Sequence, residues 1–377
     1  MRALALFAFW LLAGPALAFE PTGNAIADRF LTAVERAGFA DAAVEGVGRE
    51  GNATVLTGLT AGSDTGKALA IAAVRLVTPL VNGDNELIAD EIVYEGVAMR
   101  EGGAPTTAIG RVELSAVRFQ GDASGGDATD LLGDFARLRI ADIMARSKAG
   151  EEITLGALDL EVTSRERPGV LAGAISLTDL GFALSLLDPA AAGELRAMGY
   201  GALVVDIAVA GEWEAASGRA DLAAVRLGID GMGTLSLSTR LSGLTAETYG
   251  ILRSGGFELP KLLSALNTVS LGALEVSLED GGLTERLLTR LSTASGSDRA
   301  SVATGLLEAL AVPLANLGDP DFAQAALQAA SSFLDTPGRL TLSAAPASEV
   351  TAMQITSAAL LNPRLIPSLL ELKISSQ

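Results

Sequence analysis

From Ala42 to about Glu279 the apolar residues of this chain recur at every second position, and no other property of the sequence narrows its fold as far. Successive side chains of a strand point to opposite faces, so a period of two describes strands with one face turned inward. Ile109-Gly-Arg-Val-Glu-Leu-Ser-Ala-Val-Arg-Phe119 is one such segment, and Leu138–Ile143, Leu203–Val209, Leu222–Ile229 and Leu235–Leu241 are others. Clusters of Gly and Asp separate them, as at Gly121–Asp127 and Asp230-Gly-Met-Gly233. Strands punctuated in this way, with few helical interludes, read as antiparallel hairpins and meanders.

Helical spacing flanks this region. Ile26, Phe30, Leu31 and Val34 make one apolar stripe within Pro21–Ala40, ended by Gly38. Two short helices are expected among the strands. One is Pro189–Met198, capped by Asp188, and the other is Thr245–Arg253, running on through Pro260–Asn267. Beyond Gly282 the spacing becomes three to four over Leu283–Thr293, Asp298–Leu317 and Asp319–Leu334, with Asp298 and Asp319 as caps. A strand, Arg339–Ser343, and a helix, Pro363–Leu372, close the chain. The expected fold class is α+β, an extended, twisted antiparallel sheet body with a helical C-terminal region. The expected division is 1–18 as a signal peptide, 19–280 as the β-rich body with its helix over 23–38, and 281–377 as the mainly helical part. Within the body Ile153–Thr163 aligns with Val269–Glu279 without a gap through a shared Leu-Gly-Ala-Leu, which reads as a duplicated strand unit.

The chain opens with Arg2, an apolar run Ala3–Ala13, the breaker Gly14-Pro15 and Ala16-Leu17-Ala18, an export signal with a small-x-small cleavage site. Cleavage after Ala18 is expected, with no membrane span remaining once the signal is gone. Arginine-, alanine- and glycine-rich usage points to the periplasm of a Gram-negative cell. A net charge of −18 repels phosphate backbones, so nucleic acid is not an expected partner.

Chemistry is constrained by what is missing. Without His or Cys there is no imidazole base, thiol nucleophile or ordinary zinc site. Asp64-Thr65-Gly66 matches an aspartic-protease triplet, but the required second triplet is absent and a turn is the better reading. Gly66-Lys67 falls short of a phosphate-binding loop, with Ala61 and Ala68 where Gly and Ser/Thr belong. Ser147-Lys148 adjacency does not make a dyad, and paired acids such as Asp90-Glu91 and Glu151-Glu152 read as exposed charge. Asp319-Pro-Asp321 is a helix start rather than a calcium loop. Trp213 reads as a plug at a strand end. No catalytic residue, metal ligand or cofactor is expected, and the chain is not expected to be an enzyme.

The segments Leu203–Val209, Ala220–Ile229 and Thr234–Leu244 resemble periplasmic envelope proteins of the AsmA and YdgA type. That resemblance implies an extended twisted sheet forming a trough with an apolar concave face, and carries over no functional residue. The chain departs from the pattern in lacking a retained N-terminal anchor and in its helical C-terminal region. Two functions follow as expectations. The first is binding of a lipid or another apolar ligand along a sheet groove, with Leu235, Leu237 and Leu241 as lining residues. The second is a scaffold with a closed core, whose partner would be another envelope protein.

Overall fold

Asn24 starts the first ordered element: its side chain accepts the amides of Ile26 and Ala27, and helix α1 (Ala25–Arg36) follows. The computed structural model describes residues 19–37, 39–62, 66–102, 104–119, 134–147, 150–163, 169–253 and 267–377. The signal Met1–Ala18, Gly38, Asp64-Thr65, the Gly121–Asp127 punctuation, Lys148 and the stretch from Pro260 to Leu266 lie outside the described residues. By internal contacts the chain divides into two units. The first runs to Val162 and takes in Leu177–Gly181; the second comprises Thr163–Ser176 and Phe182–Gln377. Both are twisted antiparallel sheets with helices, so the class is α+β, with the helices mostly C-terminal.

The first unit holds β1 (Ala40–Ala43), β2 (Gly46–Glu50), β3 (Ala53–Gly62), β4 (Lys67–Val77), β5 (Leu80–Val81), β6 (Leu87–Glu101), β7 (Ala104–Phe119), β8 (Arg137–Arg146) and β9 (Glu152–Val162). Strands β3, β4, β6, β7, β8 and β9 form a meander; β1 and β2 share the far edge of β3, and β5 extends the edge beside β6. Helix α1 supplies the aromatic centre of the core. Phe30 is fully buried, with its ring 6.0 Å from that of Tyr94 and 6.1 Å from that of Phe119. Burial alone pushes the Tyr94 phenol well above its ordinary range.

The alternation in this sheet is not continuous. Gly58, Gly96 and Asp142, on β3, β6 and β8, have φ of 61°, 62° and 56°, and each faces Ala72, Gly110 or Gly156 on a neighbouring strand. Each ladder is interrupted at that pair and resumes in the same register on either side. The result is a crease that crosses the sheet. Across it the buried residues lie three apart instead of two: Leu56 and Leu59, Ile71 and Val74, Ile109 and Val112. The segment Ile109–Phe119, expected to alternate strictly, therefore buries 109, 112, 114, 117 and 119. Across the crease one face stays apolar throughout. At Gly110 a Cβ would stand 2.9 Å from that of Asp142, so glycine permits the approach.

The second unit begins in β10 (Val170–Ala183), which passes through both groupings. Helix α2 (Pro189–Ala197) follows, with Asp188 accepting from Ala190 and Ala191, as expected. Then come β11 (Ala202–Glu214), β12 (Arg219–Ile229), β13 (Gly233–Ser242), helix α3 (Ala246–Arg253) and β14 (Ser270–Asp280). Helices α4 (Leu283–Ser295), α5 (Arg299–Asn316) and α6 (Pro320–Asp335) match the expected segments, with Asp298 and Asp319 capping α5 and α6. Strands β15 (Arg339–Ala344) and β16 (Val350–Thr351) both pair with β14.

The C-terminal end differs from expectation. Helix α7 (Ala352–Leu361), capped reciprocally by Thr351 and Gln354, had not been anticipated. The expected helix Pro363–Leu372 is a 3-10 turn, Pro363–Leu365, and a short α8 (Ile366–Leu370). Glu371 then takes a left-handed conformation, φ 48°, which stops the helix. The remainder is β17 (Lys373–Ser376), paired with β15.

Candidate functional site

The hairpin joining β12 to β13 turns through Asp230-Gly-Met232, so Ile229 stands opposite Gly233 and the register of both strands is set. Leu227 is then opposite Leu235, and Val225 opposite Leu237. The same rows continue on each side. Ile207, Leu227, Leu235, Leu278 and Leu340 form one, and Val209, Val225, Leu237, Val276, Leu342 and Ile374 the next. Directly paired residues share a face, so these rows make one aliphatic surface across β11 to β17.

The reverse face is polar. Asp206, Arg226, Ser236, Ser277, Glu279, Arg339, Thr341 and Lys373 occupy the intervening positions. An exposed ion pair, Arg339 to Glu279 at 2.7 Å, lies on it. Such a sheet has one face that favours water and one that does not.

The apolar face is closed at the Leu271 end, and beside the hairpin Leu203 and Val205 of the same face and Met232 of the loop are buried as well. Ala344, Val350 and Leu370 are buried in a cluster with Leu271, Leu274, Ile355, Ile366, Leu369 and Leu372, so α7 and α8 cover the Leu271 end. Helix α6 packs on β15 and β17. Between these ends the face stays open at one pair: Leu227 is 39% exposed and Leu235 45%. The three residues singled out in the sequence therefore separate. Leu235 and Leu237 sit together on the open part, Leu235 exposed and Leu237 half-buried. Leu241 lies between Ala220 and Leu271, in the row that runs into Val350 and the closed cluster. Leu227, Val225, Val276 and Leu278 belong with Leu235 and Leu237. The three-residue hairpin loop was the signal that identifies the first two.

A polar node borders the hairpin. Asp280 shares the parity of Leu278 and Val276, and its carboxylate accepts from the amides of Gly282 and Thr284 and from the Thr284 hydroxyl. Helix α4 thus rises from the apolar side of the sheet. Arg286 on α4 donates to the Met198 carbonyl at 3.0 Å and stacks 4.5 Å from the Tyr200 ring centroid. Tyr200 donates to the Gly231 carbonyl at 2.8 Å; burial raises its pKa, and Arg286 partly opposes the shift. A cleft of about 220 Å³ lies between α2 and α4, lined by Met198, Glu285, Arg286, Thr289 and Arg290 among others. Its arginines serve the packing of the two helices: Arg286 holds the end of α2, and Arg290 lies 3.5 Å from Glu194.

Trp213 donates from its indole to the Leu244 carbonyl at 2.5 Å and its ring lies 5.3 Å from that of Tyr249. It closes the Leu241 row at a strand end, the structural role expected of it. Among the described residues no group of three acidic side chains is placed to hold a metal ion. No described helix is long and apolar enough to cross a membrane.

A family described as "Uncharacterized protein" matches residues 226–377, from within β12 to the C-terminus. No curated protein matches the chain. The match takes in β13, β14 and every element that surrounds the open face on their side.

Proposed function

We propose that this chain is a non-enzymatic protein of the cell envelope that carries a lipid or another apolar molecule on the open aliphatic face of its second unit. The observation that carries the reading is the exposure of Leu227 and Leu235 on a surface that is aliphatic from Ile207 to Leu342. Each methylene removed from water there contributes about 0.8 kcal/mol. Ten buried methylenes thus supply roughly 8 kcal/mol before the cost of ordering an acyl chain. No specific polar contact is required. The likeness of these strands to AsmA and YdgA-type proteins belongs to the same proposal.

Native mass spectrometry of protein purified from its own periplasm tests it, together with Leu237→Asp. A charge placed between Val225 and Val276 should abolish co-purifying lipid while circular dichroism stays unchanged. The closure of the face at Leu271 and Leu274 favours the second reading, a scaffold bound to another envelope protein. That reading wins if Leu237→Asp unfolds the chain and the wild type never carries lipid.

The proposal includes export and cleavage after Ala18. The backbone nitrogen of Phe19 lies 2.6 Å from the Glu35 carboxylate. Cleavage would turn that nitrogen into an ammonium group and the contact into an ion pair. In the uncleaved chain burial raises the Glu35 pKa, the Phe19 amide lowers it and Asp41 raises it. The new ammonium would hold the carboxyl down. A carboxyl depressed by folding stabilises above its unfolded pKa, so the mature form should exceed the uncleaved one in stability at neutral pH. That excess should fade below about pH 4. Intact-mass measurement checks the site: a mature species beginning at Phe19 is expected, and one retaining Met1 refutes it.

A further inference from the structure

Three leucines project from the C-terminal end of α7 and the turn beyond it: Leu360 is 79% exposed, Leu361 86% and Leu365 52%. They are not a face left over from poor packing. Ile355, Ile366 and Leu369 of the same elements point inward and join the buried Ala344, Val350 and Leu370. The inner side of this corner is thus satisfied, and the outer side repeats its apolar character. Isolated exposed leucines are ordinary, whereas three grouped on one projecting corner mark a surface with an occupant.

We propose that this corner docks the protein on a lipid bilayer, with Leu360, Leu361 and Leu365 entering the interface and Arg364 meeting the headgroup phosphates. Charge is the first argument. The chain carries −18 overall, yet residues 350–370 contain no acid and a single cation, Arg364. The acids that flank this stretch are tied to their own chain. Glu349 accepts from Ser242, Glu371 from the Ala347 amide, and nearby Asp319 from the Phe322 amide. A chain that would be repelled by anionic headgroups thus has one stretch whose own residues carry a net charge of +1.

Arg364 is the second argument. Its stem lies across Gly318, where a Cβ would stand 2.4 Å from the arginine Cγ. Among the described residues no carboxylate pairs with it. A cation held beside projecting leucines is the pattern of an interfacial anchor, apolar below and charged at headgroup level.

Composition and exposure decide against a protein partner. Protein interfaces draw their binding energy from Trp, Tyr and Arg, with Leu under-represented. This patch has no aromatic residue, and its leucines stand largely clear of their own chain, so a folded partner would need a pocket for each, whereas fluid acyl chains conform to them. The inference does not require that the sheet face be occupied.

Flotation of the full chain with vesicles of phosphatidylethanolamine and phosphatidylglycerol tests it. The wild type should float, and Leu360→Asp with Leu361→Asp should lower the partition coefficient roughly hundredfold. Both side chains are largely exposed, so the circular dichroism spectrum should not change. Leu361→Ser provides a milder variant, with a smaller loss in the same direction. Arg364→Glu should weaken binding to these vesicles and leave binding to vesicles of phosphatidylcholine alone unaltered. Leu237→Asp should float like the wild type, which separates docking from ligand carriage. A wild type that stays with the soluble fraction overturns the proposal, as do aspartate variants that float unchanged. A dimer that Leu361→Asp dissolves, without any vesicle binding, assigns the corner to a second copy of the chain instead.

Discussion

Replacing Phe30 with alanine is expected to destabilise the first unit by about 3–5 kcal/mol, the usual cost of emptying a buried aromatic site. Phe30 is fully buried at the meeting point of α1, β6 and β7, tilted against Tyr94 and edge-on to Phe119. Neither neighbour can collapse into the void, because each is fixed in a central strand of the meander. Phe119 stands opposite Leu87 and Tyr94 opposite Val112. The loss combines burial of the ring with edge and tilted aromatic contacts, which add about 0.5–1.5 kcal/mol each. Hydrogen exchange resolved along the chain provides the measurement. Amides of α1, β6 and β7 should lose protection by about 150-fold to 5,000-fold, which 3–5 kcal/mol implies. Phe30→Leu should recover most of it, since volume rather than aromatic character dominates. Unchanged protection would mean that α1 does not organise this core.

How much of this was legible in the sequence depends on how local the cause is. Helix starts were readable because a cap is a local device. Asp188, Asp298 and Asp319 each accept amides two or three residues on, as their positions implied. The row that joins Leu227 to Leu235 was readable for the same reason, since three loop residues determine a hairpin register. The crease was not. Gly58 and Gly96 are natural left-handed residues, but Asp142 shows no sign of its φ in the sequence. A spacing of three, two, three and two from Ile109 to Phe119 looks like loose alternation until the neighbouring strands show the same break.

Exposure was the least legible property. Leu235 and Leu241 are the same residue type on the same face of β13, yet one is open and the other adjoins a closed cluster. The difference comes from α7 and α8, more than a hundred residues away in sequence. Helix α7 is not legible in the sequence because its apolar residues are spread around Ala352–Leu361 and interleaved with Gln354, Thr356 and Ser357, so no stripe announces it. The outward leucines that defeat the periodicity argument are the ones proposed to enter the bilayer interface.

Gly233→Ala is expected to cost at least about 3 kcal/mol, while Gly231→Ala, two residues earlier in the same turn, should cost only about 1 kcal/mol. Both glycines have positive φ, 68° at Gly231 and 142° at Gly233. Their surroundings differ. A Cβ on Gly231 would meet nothing nearer than a Tyr200 ring carbon at 3.8 Å, so that variant bears only the backbone penalty of a left-handed alanine. A Cβ on Gly233 would stand 2.2 Å from the Glu279 carbonyl oxygen and 3.0 Å from the Gly281 nitrogen. Those are backbone atoms, so relief requires β13 and β14 to part. The consequence reaches further than one contact. Gly281 and Leu283 both donate to the Met232 carbonyl, and Asp280 caps α4 from the end of the same strand. Parting the strands therefore loosens the start of α4 along with the rows of Leu235 and Leu278. Denaturant titrations of the two variants measure the difference in midpoint, with equal slopes required for the comparison. Equal losses would mean that strain in the turn, and not the close approach of two strands, is what glycine relieves at 233. The larger loss at 233 would place the rigid edge of the open aliphatic face at the junction of that hairpin with β14.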